Sequence, residues 1–250
     1  MLAAALGVAL AGPAGARSLS QIKESGSLHL CAHPNSLPFA SKTGEQKGFQ
    51  VELAQAIAGE LGVGLEPEWI VTPSQVFRST CDIILDVIGD QAQQSQSGLQ
   101  VSKPYYRGGL VLVVTQGSAV RGFGDLGERT KVGVQYGSTT AMMLSERHVG
   151  ISIFPFEDDM LAAVAGHEID AAVVSRTRAS YFNATHEGSQ LVAIAPGGGE
   201  ANMSWNIAVG MRRPDAEFRA AVDSALTRLQ SEGAIAAIYG KYGVSIRLPE

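Results

Sequence analysis

The sequence predicts an α/β fold in two lobes, each built on a parallel-rich sheet flanked by helices, with two strands crossing a hinge between them. Three observations carry this. Short apolar runs alternate with segments of helical period along most of the chain, the pattern of parallel sheets covered on both faces. A Ser-x-Pro-Tyr-Tyr turn at 102–106 leads into the continuous apolar run 110–115. Pro104 has no N–H to give a sheet, so pairing stops there on one side and the chain can leave one lobe for the other. A second apolar run, 205–211, is placed to cross back. Lobe one is then 27–114 plus 211–250, and lobe two is 115–210, with no internal repeat and no long linker.

The elements follow in order. Residues 28–32 are a short strand ending at the turn His33-Pro34-Asn35. Val51, Leu53, Ala54, Ile57, Ala58 and Leu61 recur at helical spacing across 49–61, and Gly62 stops that helix. A strand follows at 65–70. Residues 81–88 form an apolar strand interrupted by Asp82 and Asp86, and the glutamine-rich stretch 89–98 reads as a loop. Beyond the first crossing, 131–135 is a strand, Tyr136-Gly137 a turn and 138–147 a helix. Then come strand 151–154, helix 158–166, strand 170–174 and helix 176–183. Glu157-Asp158-Asp159 reads as compensation of a helix N-terminal dipole rather than as a carboxylate pair for acid–base work. After the return crossing, Pro214 suits the first turn of a helix over 214–230, and 234–239 is the last helix.

Composition narrows the function. Charged residues make up 17% of the chain and the net charge is −5, so there is no basic footprint for nucleic acid. The apolar run 2–11, followed by Ala14-Gly15-Ala16, has the form of a signal peptide over 1–16, without the basic segment that usually precedes one. The run is too short to span a bilayer, so the expected product is soluble, monomeric and exported to the periplasm. An exported chain meets an oxidising compartment, which makes a disulfide between Cys31 and Cys81 the expectation, with two buried free thiols the alternative. His29, His33, His148, His167 and His186 lack ligand spacing and read as surface or loop residues, so no metal site is expected. No nucleophile–base pair is evident, so a binding protein is favoured over an enzyme.

Six segments carry a family resemblance: GFQVELAQAIAGELG at 48–62, CDIILDV at 81–87, VSKPYY at 101–106, KVGVQYGST at 131–139, EIDAAVV at 168–174 and LQSEGAIAAIYGKYG at 229–243. In this order they resemble the type II periplasmic solute-binding proteins, which include the polar amino-acid receptors. The resemblance implies the two-lobed fold of that family and a small ligand held between the lobes, delivered to an inner-membrane transporter. Two positions depart from the amino-acid receptors. Their carboxylate-clamping arginine falls near Ser95 here, and their ammonium-binding aspartate falls at Ser175. Without either charge, ordinary α-amino acids are poor candidates, and an ABC-transporter receptor for an amino-acid-like solute stands as an alternative.

A narrower resemblance fits LHLCAHPNSLPFASKTGEQKGF at 28–49 together with CDIILDV and SKPYYRGG. These segments are similar to the solute-binding proteins associated with quinoprotein alcohol dehydrogenases. That resemblance implies pyrroloquinoline quinone as a bound ligand, or a role as maturation factor or chaperone of a periplasmic quinoprotein dehydrogenase. Ser175-Arg176-Thr177-Arg178 stands where the maturation members have Trp-Gly-Pro, which favours the cofactor-binding branch. The protein needs no cofactor of its own.

A flat tricarboxylate requires cations, N–H donors and an aromatic face. Gly137, Ser138, Thr139 and Thr140 open a helix whose free N–H groups suit an anion, although Ser138 also serves as a simple N-cap. Arg176, next to Ser175, follows a strand at the end where ligands of open α/β sheets bind. Its alternative is a solvated start of a helix. Arg107 and Lys103 flank the hinge turn, Lys103 reading first as a surface charge. Phe39, Tyr105 and Trp205 are the aromatic candidates, with Asn206 beside Trp205. Trp205 suits core packing equally well.

Overall fold

A computed structural model describes residues 17–76, 78–95, 98–188, 190–197 and 203–249. The expected signal peptide, 1–16, lies outside the described residues. The chain opens with α1 (Leu19–Ser25), β1 (Ser27–Ala32) and the hairpin of β2 (Asn35–Ser36) and β3 (Ala40–Ser41). It continues through α2 (Phe49–Leu61), β4 (Gly64–Trp69), α3 (Pro73–Val76), β5 (Ile83–Ile88), α4 (Gln91–Ser95), β6 (Leu99–Val101) and β7 (Tyr106–Thr115). Next come β8 (Val132–Gln135), α5 (Thr139–Glu146), β9 (Ile151–Phe154), α6 (Glu157–Ala165), β10 (Ala171–Ser175), α7 (Arg176–Thr185) and β11 (Leu191–Ile194). The chain closes with β12 (Ser204–Arg212), α8 (Ala216–Ser231) and α9 (Ala234–Gly240).

The sheet runs β4-β1-β5-β12-β7-β10-β8-β9, with β6 on β12 and β11 on β7. Strands β4, β1 and β5 are mutually parallel, as are β10, β8 and β9. The two crossing strands, β7 and β12, are antiparallel to their neighbours and make the sheet mixed. The first half of β7 pairs with β12, and its second half, from Leu110, pairs with β10 and β11. Along that second half successive side chains face opposite sides. Val111 and Val113 enter a core with Met160, Leu161 and Phe182, while Leu112 and Val114 enter another with Val132, Leu144 and Met203. This explains why the run is apolar at every position. Ile207, Val209 and Met211 of β12 belong instead to the first lobe's core, around Phe49, Leu53, Phe218 and Tyr239. Strand β7 changes partners between Gly109 and Leu110, and at the start of β12 Met203 packs in the second lobe while Ser204 pairs with Gly109.

The two aspartates that interrupt β5's apolar run have separate explanations. The Asp82 side chain is buried, accepts the His29 N–H at 2.8 Å and is ion-paired with Arg17. Asp86 has φ +58°, a left-handed conformation that Asp tolerates better than most residues. Cys31 and Cys81 form a disulfide with a Cα separation of 5.4 Å, tying β1 to the start of β5. His29 is not a loop residue: it sits half-buried on β1 against Glu66 and Glu68. Among the described residues no helix is long and apolar enough to cross a membrane, and no metal-ligating cluster is found.

Candidate functional site

A cavity of about 1200 Å³ lies between the lobes. The first lobe contributes Ile88 at the end of β5, Gly89 and Asp90 just beyond it, and Gln91 and Gln93 of α4. The second lobe contributes Gly137 to Thr140 and Met143 at the start of α5. The hinge side is closed by Leu110 and by Met203, Ser204, Trp205 and Asn206.

Local chemistry sets these groups in place. The Gly89 N–H donates to the Asn206 carbonyl at 2.7 Å, which fixes the cleft floor to the return crossing. Asp90 caps α4: its Oδ1 accepts the Ala92 and Gln93 N–H groups at 2.9 and 3.1 Å. Gln91 ties α4 to β6 by accepting the Val101 N–H at 3.0 Å. On the opposite wall Ser138 caps α5, its Oγ accepting the Ala141 N–H at 3.1 Å. The cap leaves other first-turn N–H groups of α5 facing the cleft as donors.

The electrostatics are acidic to neutral. Among the described lining residues Asp90 is the one charged side chain. The apolar surface comes from Ile88, Leu110, Met143, Met203 and the half-buried ring of Trp205, which also packs against the first lobe's core.

Six of the twelve candidates read from the sequence meet in this cleft: Gly137, Ser138, Thr139, Thr140, Trp205 and Asn206. The other six are placed elsewhere. The Lys103 N–H is bound by Asp223 on α8 at 2.7 Å, and its side chain lines a surface depression with Ala220 and Thr227. Tyr105 is fully buried, its hydroxyl donating to Asp86 Oδ1 at 2.6 Å. Arg107 lies within β7, and its N–H donates to the Arg247 carbonyl at 2.8 Å. Arg176 is half-buried beside Arg247; burial first, and that like charge second, push its guanidinium below its usual pKa. Phe39 packs edge-on against Phe49 with ring centres 5.1 Å apart. Ser175 caps α7, and its N–H and hydroxyl both donate to Glu157, at 2.7 and 2.8 Å. Glu157 thus does more than offset a helix dipole.

Behind the cleft, Asp86 is enclosed by hydroxyls. Its Oδ1 accepts from Tyr105 at 2.6 Å and Tyr239 at 2.9 Å, and its Oδ2 accepts from Gln50 at 2.8 Å. Burial pushes its carboxyl above the usual range, partly offset by these donors. Tyr106, whose ring stands 5.3 Å from those of Tyr105 and Tyr239, is buried beside this carboxylate; burial first, and the Asp86 charge second, push its hydroxyl well above its usual pKa.

Sequence reasoning missed Asp90 and the α4 glutamines. The available signal was their position, directly beyond the carboxyl end of a parallel strand, where open α/β sheets place ligands.

A family model described as bacterial extracellular solute-binding proteins, family 3, matches residues 28–245. The L-cystine-binding protein TcyJ of Escherichia coli (strain K12) is 26% identical over 235 residues, covering 90% of this chain and 85% of that protein. An ancestral cationic amino-acid solute-binding protein superposes with a TM-score of 0.77 at 23% identity, covering 90% of this chain and 99% of that one. The L-cystine receptor of Neisseria gonorrhoeae, in its unliganded open conformation, superposes at 0.73 with 17% identity, covering 93% and 99%.

Proposed function

The chain belongs to the bacterial extracellular solute-binding proteins, family 3, and on that premise we propose that it is a periplasmic receptor that closes on an amino-acid-like solute and presents it to an inner-membrane transporter. The observation that carries this reading is the cavity between the lobes, with a hydrogen-bonding wall at the start of α5 and one carboxylate, Asp90, opposite. An amino-acid zwitterion needs an anion receptor and a cation receptor. The N–H groups of α5 supply the first, and Asp90 supplies the second. The missing charges at Ser95 and Ser175 therefore do not disqualify amino acids, because N–H donors for the carboxylate and a carboxylate for the ammonium come from other positions. Met143, Met203 and Trp205 suit an uncharged body that is apolar or sulfur-containing. Cystine, which the Escherichia coli relative is named for binding, is the first solute to test.

Pyrroloquinoline quinone is the second reading, supported by the motifs at 28–49 and 102–109. Trp205 could stack on its ring. Its three carboxylates would face Asp90 with no basic lining side chain among the described residues, which ranks it below amino acids. A thermal-shift panel of amino acids, cystine and pyrroloquinoline quinone separates the readings. A ligand at a hundredfold its Kd stabilises by about 2.7 kcal/mol, worth roughly 5–11 °C in a domain of this size. A shift with an amino acid supports the first reading. A shift with the quinone alone reverses the order. A shift with none favours a maturation factor that docks on a dehydrogenase.

A further inference from the structure

We propose that the gap between the lobes contains a guanidinium subsite that the chain fills with its own Arg178, which latches the lobes together on that flank and excludes cationic ligand groups from it. Arg178 lies on α7, in the second lobe, yet its partners include the β2–β3 region of the first lobe. Nη1 donates to the Leu37 carbonyl and to Asp158 Oδ2 at 3.2 Å. Nη2 donates to Ser36 Oγ at 3.4 Å. The guanidinium carbon stands 5.3 Å from the centre of the Phe39 ring, the geometry of a cation–π contact. Nε lies 4.0 Å from Glu157 Oε2, and Glu157 is held in place by both donors of Ser175. The arginine side chain is only 16% exposed.

These parts are what a free guanidinium or ammonium ligand would require: an aromatic face, a carbonyl, a hydroxyl and two carboxylates. Arg178 meets all of them at once, so the chain itself supplies the positive charge at this position. Two more contacts run from the same helix to the first lobe. Tyr181 donates to Gln46 at 3.4 Å, and its ring lies 6.4 Å from that of Tyr242 in the first lobe's core. One helix of the second lobe therefore reaches the first through its own side chains. A solute is left the Asp90–Trp205 cavity, and a solute with a cationic side chain finds the Phe39 flank taken.

The test is Arg178→Ala. Small-angle scattering of the ligand-free variant should give a larger radius of gyration than the wild type, and its melting temperature should fall. Guanidinium at low millimolar concentration should restore both saturably, while urea, its neutral isostere, at equal concentration should not. The variant should also gain affinity for free arginine that the wild type lacks. A scattering profile identical to the wild type's, or guanidinium acting no better than urea, overturns the proposal. If Arg178→Ala does not fold, Phe39→Leu keeps every hydrogen bond to the guanidinium and should open the lobes in the same direction; an unchanged radius there overturns it equally. These readouts do not depend on the solute, so they stand or fall separately from the receptor reading.

Discussion

Gly109 is where the first crossing strand passes from one lobe to the other, and replacing it with alanine should damage the hinge far more than the same change one residue earlier. Gly109 has φ +148°, a conformation that residues with a side chain rarely adopt. A Cβ there would stand 2.4 Å from the Met203 carbonyl oxygen and 2.9 Å from Ser204 Cα. Carbon and oxygen settle at about 3.3 Å or more, so the start of β12 would have to retreat by roughly 1 Å. The backbone conformation costs about 1–3 kcal/mol, and the forced shift adds about 1–3 kcal/mol. A loss of about 4 kcal/mol corresponds to a fall in Tm of roughly 8–16 °C. Gly108→Ala is the internal control. Its Cβ meets the Ile207 side chain at 2.9 Å, a group that can rotate away, and its φ is not in the positive region. The entropic gain of about 0.4–1 kcal/mol from replacing glycine should offset much of that crowding. Urea denaturation of both variants measures the difference. Met203 and Ser204 line the cavity, so Gly109→Ala should also weaken solute binding, read by calorimetry on the folded variant. Equal stabilities for the two variants would refute the account of the hinge.

Reduction of Cys31–Cys81 reopens a loop with a sequence separation of 50. The chain-entropy model values that closure at roughly 4 kcal/mol, so the melting temperature should fall on adding reductant, and titration of the denatured, unreduced protein should find no thiol. Asp86→Asn tests the buried carboxyl. Its folded pKa is raised, so its contribution is fully present below the unfolded value of about 3.9 and is lost as pH rises through the folded value. Wild-type stability should therefore fall relative to Asp86→Asn as pH rises from about 4, by at most about 1.4 kcal/mol per pH unit. Parallel urea-unfolding curves across that range would count against a raised pKa. Trp205→Ala should weaken solute binding about tenfold, since stacking and area lost from a cleft aromatic together approach about 1.4 kcal/mol; calorimetry showing unchanged affinity would place the solute elsewhere.

The larger elements were legible because their signals are redundant. Helix α2 shows three turns of apolar period and a glycine stop, and its bounds are those expected from the sequence. Strands β9 and β10 sit where apolar runs predicted them, to within a residue. Shorter elements were lost. Helix α1 buries only Ile22, although its capping pair Ser18 and Gln21 was visible. Helix α4 exists because Asp90 caps it, with no buried residue to mark a period. Strand β6 has three residues whose pairing is decided by β12, far along the chain. In the site, helix-opening glycine, serine and threonines and the crossing tryptophan could be read directly, because their roles follow from local position. The arginines could not. Arg176 and Arg178 both follow β10, but the rotation of α7 turns Arg176 toward Arg247 and sends Arg178 across the gap to Leu37. Lys103 faces α8 because its own N–H is tied to Asp223.

The same rotation rearranges the charges at the end of β10. Position 175 is a serine, and a carboxylate is nevertheless within hydrogen-bond distance of it, because Glu157 reaches in from α6 and takes both of its donors. A carboxylate supplied in this way is anchored by the backbone of α7 and lies 4.0 Å from Arg178, so it faces an internal cation before any solute arrives. Asp90 differs in kind. The α4 cap engages its Oδ1, it lies on the opposite lobe, and among the described lining residues it is the one charged side chain. A carboxylate whose printed partners among the described residues are backbone N–H groups alone, rather than a cation, is the one suited to meet a solute's positive charge. On the proposal made above for Arg178, ligand selection by charge should rest on Asp90: Asp90→Asn should weaken binding of a solute that carries an ammonium group, read by calorimetry, and unchanged affinity would place the ammonium elsewhere.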